Sequence, residues 1–268
     1  MPTCTDMRIL DLFCGAGGAS MGYHQALQEM GINHEIVGID INPQPNYPFT
    51  FIQADLATDD PVDPATFDLI HASPPCQAHS TLRHSPGAKE TYVDLVATTR
   101  VILNDYDRPY VIENVPGAPL VEPTRLCGSN FPDLRTIWQE IPNGLKRWYG
   151  LRRHRLFEST FTMKQPACRH NLPVLGVYGD LAKNARKSTR GIKAGRTQAW
   201  ELMGIDWMTD KELTQAIPPA YSRWVMYQYL KPVLRCSFDG QFYTAKTADS
   251  HAICQILEDE AAAGISPC

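Results

Sequence analysis

The chain has 268 residues, 43% hydrophobic and 20% charged, enough for one large domain and ordinary for a globular protein. That usage excludes collagen-like, disordered and coiled-coil descriptions of the whole, and no apolar run approaches the ~20 residues a membrane helix needs. The net charge is -4, yet Lys146 to Arg196 holds 13 Lys/Arg against two acids, leaving 12 basic and 27 acidic residues elsewhere. One region is therefore suited to a polyanion while the rest is acidic.

The opening reads as alternating strands and helices. Arg8–Phe13 is a short apolar strand, followed by the turn Cys14-Gly15-Ala16-Gly17-Gly18 and a helical stretch to about Met30. Strands are expected at Glu35–Asp40, Phe49–Gln53 and Phe67–Ala72, the last ending at Ser73-Pro74-Pro75. Tyr92 to Leu103 has helical spacing and Tyr110–Glu113 is a fifth strand. This order implies an α/β fold, a doubly wound, mostly parallel sheet. After about Gly117 the pattern gives way to Pro- and Gly-rich loops, broken by a strand-like Arg155–Glu158. Residues 183–196 read as polar, basic and mobile in isolation. Helical periodicity returns at Thr197–Met203 and Tyr221–Leu230, and the tail carries an amphipathic Ala252–Ala263.

Ligands of open α/β sheets bind at the carboxyl ends of the strands, where the unusual residues of this chain fall. The glycine turn lets backbone approach a ligand. Asp40, ending the second strand, stands where a carboxylate accepts from ribose hydroxyls, and Asp55 could accept from an adenine amine. Two prolines stiffen the approach to Cys76, and Glu113 ends the fifth strand. A thiol, a carboxyl and the arginines of Arg152-Arg153-His154-Arg155 beside an adenosine pocket suit nucleophilic attack on an electron-poor heteroaromatic ring. The eight cysteines include no Cys-x-x-Cys pair and are expected to be reduced. No metal is expected, because Cys168 and His170 lack a paired ligand spacing.

In this order the motifs Asp11-Leu12-Phe13-Cys14-Gly15-Ala16-Gly17-Gly18, Gly38-Ile39-Asp40, Ala54-Asp55, Ser73-Pro74-Pro75-Cys76-Gln77, Glu113-Asn114-Val115 and Arg153-His154-Arg155 resemble the DNA cytosine-C5 methyltransferase family. The resemblance implies a Rossmann-like methyltransferase fold, with S-adenosyl-L-methionine as donor and S-adenosyl-L-homocysteine as product. It implies that Phe13, Gly15, Ala16, Gly17 and Gly18 hold the cofactor together with Asp40, Ile41, Asp55, Leu56, Pro75, Gln215 and Ala216. Cys76 would attack C6 of a flipped-out cytosine, Glu113 would pair with N3 and the 4-amino group, and Asn114 would orient the loop. Arg153 and Arg155 would contact the base carbonyl. Gln77, Ser80, Lys183, Arg186, Lys187, Arg190, Lys193 and Arg196 would contact nucleic acid.

The implied division is a catalytic and cofactor-binding domain at 1–158, a short target-recognition region at 159–195, a return at 196–233 and a tail at 234–268. Double-stranded DNA is the expected partner, with a cognate restriction endonuclease as a candidate second one. A cytoplasmic monomer in a prokaryotic or virus-infected cell is expected. Three departures stand out: Leu151 where many members have glutamine, Gln215 where they have asparagine, and the short recognition region. A tRNA or RNA cytosine-C5 methyltransferase would share these motifs. An inactive nucleic-acid binder or a nicotinamide-dependent oxidoreductase fits them less well.

Overall fold

The computed structural model describes residues 6–75, 95–139, 146–181, 183–188 and 191–239. Its main sheet has seven strands: β1 (Met7–Leu12), β2 (His34–Asp40), β3 (Thr50–Gln53), β4 (Leu69–Ala72), β5 (Tyr110–Asn114), β6 (Thr124–Leu126) and β9 (Arg155–Ser159). Their order is β3-β2-β1-β4-β5-β9-β6. The pairs among β1 to β5 are parallel, whereas β9 runs antiparallel to both β5 and β6. The reversal of strand order beside β1 makes the crevice where such sheets bind ligands.

Strand side chains alternate between two apolar cores. Ile9, Ile36, Leu69 and Val111 face one, which includes α1 (Gly18–Glu29) and α5 (Pro219–Asp239). Leu10, Val37, Ile70 and Ile112 face the other, with Phe67 and with Leu103 of α2 (Val96–Asp105). Helices on both faces make the sheet doubly wound, as the sequence predicts. The α1–α5 contact requires Gly22, because a Cβ there would stand 2.0 Å from the Pro219 carbonyl oxygen. Ser222 of α5 donates to the Ala19 carbonyl at 2.7 Å across the same contact.

Register then fixes the site. Leu12 pairs with Ile39 and Ala72, and Ala72 pairs with Ile112. The next residues along these parallel strands, Phe13, Asp40, Ser73 and Glu113, therefore emerge in one row at the carboxyl edge.

The region beyond Gly117 holds more regular structure than its composition predicts. β7 (Arg135–Gln139) and β8 (Lys146–Gly150) form an antiparallel ribbon. β10 (Leu175–Gly176), β12 (Gly191–Lys193) and β11 (Arg186–Ser188) form a three-stranded sheet, so residues 183–196 are not simply a loose basic stretch. Two to five residues per strand leave too little periodicity to read. α3 (Arg196–Met203) and α4 (Asp210–Gln215) lead into α5. The expected helix at Ala252–Ala263 and the start of the one at Tyr92 lie outside the described residues.

Candidate active site

The turn after β1 is built by backbone conformations that few residues tolerate. Gly15 has φ +50° and Gly17 +83°, and a Cβ on Gly17 would meet Pro48 at 2.8 Å. Phe13 also sits at φ +58°, a left-handed conformation that costs a residue bearing a side chain about 1–2 kcal/mol. Such strain persists only where surrounding structure imposes it. A Cβ on Gly18 would lie 2.4 Å from the Ile217 oxygen and 3.4 Å from Ala216 Cβ, so the segment entering α5 closes against the turn. The Trp207 indole donates to the Ala16 carbonyl at 2.9 Å. Ala216 thus lies beside Gly18, with Gln215 preceding it at the end of α4.

Asp40 joins the turn to β2. One of its oxygens accepts from the Gly15 N–H at 3.1 Å, and the other accepts from the Asn42 N–H at 2.9 Å. Asp55 follows β3 and accepts from the Ala57 N–H at 3.0 Å. Ile41 is 56% exposed, unusual for isoleucine at a strand end, while Leu56 is half-buried. These side chains frame one end of the crevice.

Asp11, not singled out as a site residue, lies buried beneath the turn. It accepts from Ser20 Oγ at 2.5 Å, and Ser20 Oγ and the Tyr47 hydroxyl share a hydrogen bond of 2.7 Å. Burial pushes its pKa up to about 7, opposed by the Ser20 hydrogen bond and reinforced by the Asp40 charge. Its folded pKa exceeds the ordinary 3.8, so the fold favours the protonated form. That contribution is complete below 3.8 and is lost as pH rises through about 7. Asp11→Asn keeps an acceptor for Ser20 without the charge. The melting temperature of this variant should rise relative to the wild type as pH passes through about 7; a difference independent of pH would contradict the assignment.

At the other end, Glu113 is buried at the tip of β5. Burial raises its pKa, while Arg155, a Ser73 hydrogen bond and Arg153 pull it down. Arg155 Nε lies 3.0 Å from Glu113 Oε1 without hydrogen-bond alignment, so among the described residues this oxygen has no directional donor. Asn114 Nδ2 donates to the Pro74 carbonyl at 3.0 Å and its Oδ1 accepts from the Val115 N–H at 2.8 Å. The stiff Ser73-Pro74-Pro75 segment is thereby tied to the end of β5. His71 supports it from within the sheet. Its Nδ1 shares a 2.8 Å hydrogen bond with the Tyr23 hydroxyl and its Nε2 a 3.0 Å one with Ser73 Oγ. Burial pushes His71 down to about 3, so its ring is neutral. Neither Asp11 nor His71 was legible as a partner of the site, since each reads locally as one more residue of a strand.

The two arginines part company. Arg155 faces Glu113, whereas Arg153 donates to the Val177 carbonyl at 2.9 Å and the Thr214 carbonyl at 2.8 Å, and its own carbonyl accepts from the Tyr221 hydroxyl at 2.5 Å. Arg153 joins β9's approach to the α4 end and the small sheet. Leu151, where glutamine was the alternative, is buried, with its carbonyl 2.4 Å from where a Gly128 Cβ would stand.

The basic residues of the expected nucleic-acid surface differ in position. Lys183 is exposed. Lys193, expected to contact nucleic acid, is instead buried. Its ammonium donates to the Asp180 carbonyl and lies 5.3 Å from the Tyr178 ring centroid, an environment that removes it from a phosphate-binding surface. Arg196 is exposed but bidentate on Asp210, at 2.7–3.0 Å. Arg186 and Lys187 stand on β11. Cys76, Gln77, Ser80 and Arg190 lie outside the described residues; Pro75, the last residue before Cys76, lies within them.

Comparison with known proteins finds sequence similarity over the first part of the chain. Residues 7–124 match the family model described as C-5 cytosine-specific DNA methylase. The type II methyltransferase M.HgiCI of Herpetosiphon aurantiacus is 34% identical over 119 residues, covering 41% of this chain but only 28% of that protein. Among solved structures, the Entamoeba histolytica methyltransferase EhMeth aligns with a TM-score of 0.48 and 12% identity, over 85% of this chain and 99% of that one. The S. pombe Dnmt2 methyltransferase aligns with a TM-score of 0.42 and 15% identity over the same shares.

Proposed function

From the match of residues 7–124 to the C-5 cytosine-specific DNA methylase model, we propose that this chain transfers a methyl group from S-adenosyl-L-methionine to C5 of cytosine in double-stranded DNA. The observation that carries this reading is the row Phe13, Asp40, Ser73, Glu113 at one sheet edge, with Cys76 three residues beyond Ser73.

The crevice suits the cofactor. Gly15, with nothing within 4 Å of where its Cβ would stand, leaves the turn's backbone open to close approach, and the Asp40 oxygen that accepts from the Gly15 N–H retains a lone pair for a ribose hydroxyl. Exposed Ile41 and half-buried Leu56 offer apolar surface to an adenine, and Asp55 an acceptor for its amine. Ala16, Gly18 and the Gln215–Ala216 segment would close the pocket, with Pro75 on the catalytic side. Bound there, the sulfonium supplies an electrophilic methyl group.

On the other side of the pocket Cys76 supplies the nucleophile. As its thiolate bonds to C6, electron density moves onto the ring and Glu113 delivers a proton at N3, making C5 an enamine carbon. The raised pKa of Glu113 keeps that proton available nearer neutrality. Arg155, held against Glu113, would polarise the base carbonyl; Asn114 fixes the loop root, and Arg153 fixes the segment carrying Arg155. After methylation a base removes the C5 proton and the Cys76 sulfur leaves by β-elimination.

A cytosine stacked in a duplex cannot reach this edge, so it must swing out at a cost of a few kcal/mol. Residues 159–195, with the three-stranded sheet and exposed Lys183, would supply the recognition surface and phosphate contacts. So short a region predicts a short or degenerate recognition site. A restriction-modification role, with a cognate endonuclease, fits this reading.

The test is methyl incorporation from labelled donor into duplex DNA and into tRNA, read at C5 of cytosine. Transfer to duplex DNA is the expected result. Transfer to tRNA alone would overturn the DNA assignment, and transfer to neither would overturn the whole reading.

A further inference from the structure

Cys127, His154 and the pair Cys168 and His170 come from separate stretches of sequence, but their ligand atoms all lie within 4.8 Å of one another. Cys127 follows β6, His154 immediately precedes β9, and the other two lie on the chain leaving β9. Cys127 Sγ is 3.4 Å from His170 Nε2, and Cys168 Sγ is 3.5 Å from His154 Nε2. A tetrahedral zinc ion with S at ~2.3 Å and N at ~2.0–2.1 Å sets adjacent S and N atoms about 3.6 Å apart. The two separations fit that tetrahedron.

We propose that Cys127, His154, Cys168 and His170 form a structural zinc site that fastens the segment bearing Arg153 and Arg155 to the edge of the sheet. Two thiol–imidazole hydrogen bonds would explain each close pair separately, but they do not require all four groups to converge. The surroundings of Cys127 are built of oriented polar groups. Ser129 Oγ donates to Cys127 Sγ at 3.2 Å and is itself held by the Arg169 N–H at 3.1 Å, an outer shell of the kind that orients metal ligands. Asn130 braces the same corner, accepting from the Cys127 N–H at 2.8 Å and donating to the Ala167 carbonyl at 2.8 Å.

Four protein ligands close the coordination sphere, so the ion holds structure and takes no part in chemistry. Its consequence is positional. His154 sits between Arg153 and Arg155, and a fixed His154 holds the start of β9 on which Arg155 meets Glu113. Only Cys168 and His170 are close in sequence, which is why spacing alone argued against a metal.

Metal content of the full-length chain, purified without chelators, tests this independently of the transfer reaction. About one zinc per chain is expected, together with the visible bands of a tetrahedral thiolate complex after replacement by cobalt(II). Cys168→Ser and His170→Ala alter loop residues and should spare the fold, checked by circular dichroism. Each should weaken cobalt binding by at least about 100-fold. A metal-free wild-type chain, a Cys127–Cys168 disulfide in that chain, or a folded double variant binding cobalt as tightly as the wild type would overturn the proposal.

Discussion

Replacing Cys76 with serine should lower methyl transfer by at least about a thousandfold while leaving DNA affinity unchanged. A free thiol is a few per cent thiolate near neutrality and strongly nucleophilic, whereas a serine hydroxyl is almost wholly protonated there and needs a base to activate it. The oxygen also differs little from sulfur in size, so the variant should fold. The approach to this position is rigid: two prolines restrict φ, and the Pro74 carbonyl is held by Asn114 at the end of β5. Single-turnover transfer and a gel-shift titration measure the two quantities. Turnover within tenfold of the wild type would contradict nucleophilic catalysis by this residue.

Glu113→Gln should cost about 10²–10⁴-fold in transfer, with donor binding preserved, since glutamine can hydrogen-bond to the ring but cannot hand it a proton. The pH dependence has a definite sign. Burial raises the pKa of Glu113 against the opposing pull of Arg155, so the protonated carboxyl survives above its ordinary range. Transfer by the wild type should fall as pH rises through that raised pKa, and the residual rate of the glutamine variant should lack this limb. The same group stabilises the fold fully only below the ordinary value of 4.5, losing that contribution as pH rises through its folded pKa. The variant should therefore gain stability over the wild type on the alkaline side. Matching activities across the profile would remove Glu113 from the mechanism.

Much of this site was legible because each piece ends a strand. Leu12, Ile39, Ala72 and Ile112 close runs that announce buried parallel strands, and the residues following them fall at one edge by register. The glycine turn and the proline pair are equally local signals. What stayed hidden depends on distant chain. Asp11 and His71 matter through Ser20, Tyr47, Tyr23 and Ser73, which only the fold brings to them. Lys193 counts as a surface charge by composition, yet packing on Tyr178 and the Asp180 carbonyl takes it inside. Arg153 and Arg155 share an alternating pattern, but the regular strand begins at Arg155, and Arg153 turns to two backbone carbonyls. The ribbon of β7 and β8 did carry a local signal, Asn143-Gly144 between its strands, which the Pro- and Gly-rich composition of the region obscured.

The most direct test is peptide mapping by mass spectrometry after the protein meets duplex DNA carrying 5-fluorocytosine in the presence of S-adenosyl-L-methionine. Fluorine cannot leave as a proton does, so a sulfur bonded to C6 should remain trapped on the base, on the peptide containing Cys76 and stable to denaturation. Modification of a different residue, or unmodified protein and methylated DNA with no cross-link, would contradict the account.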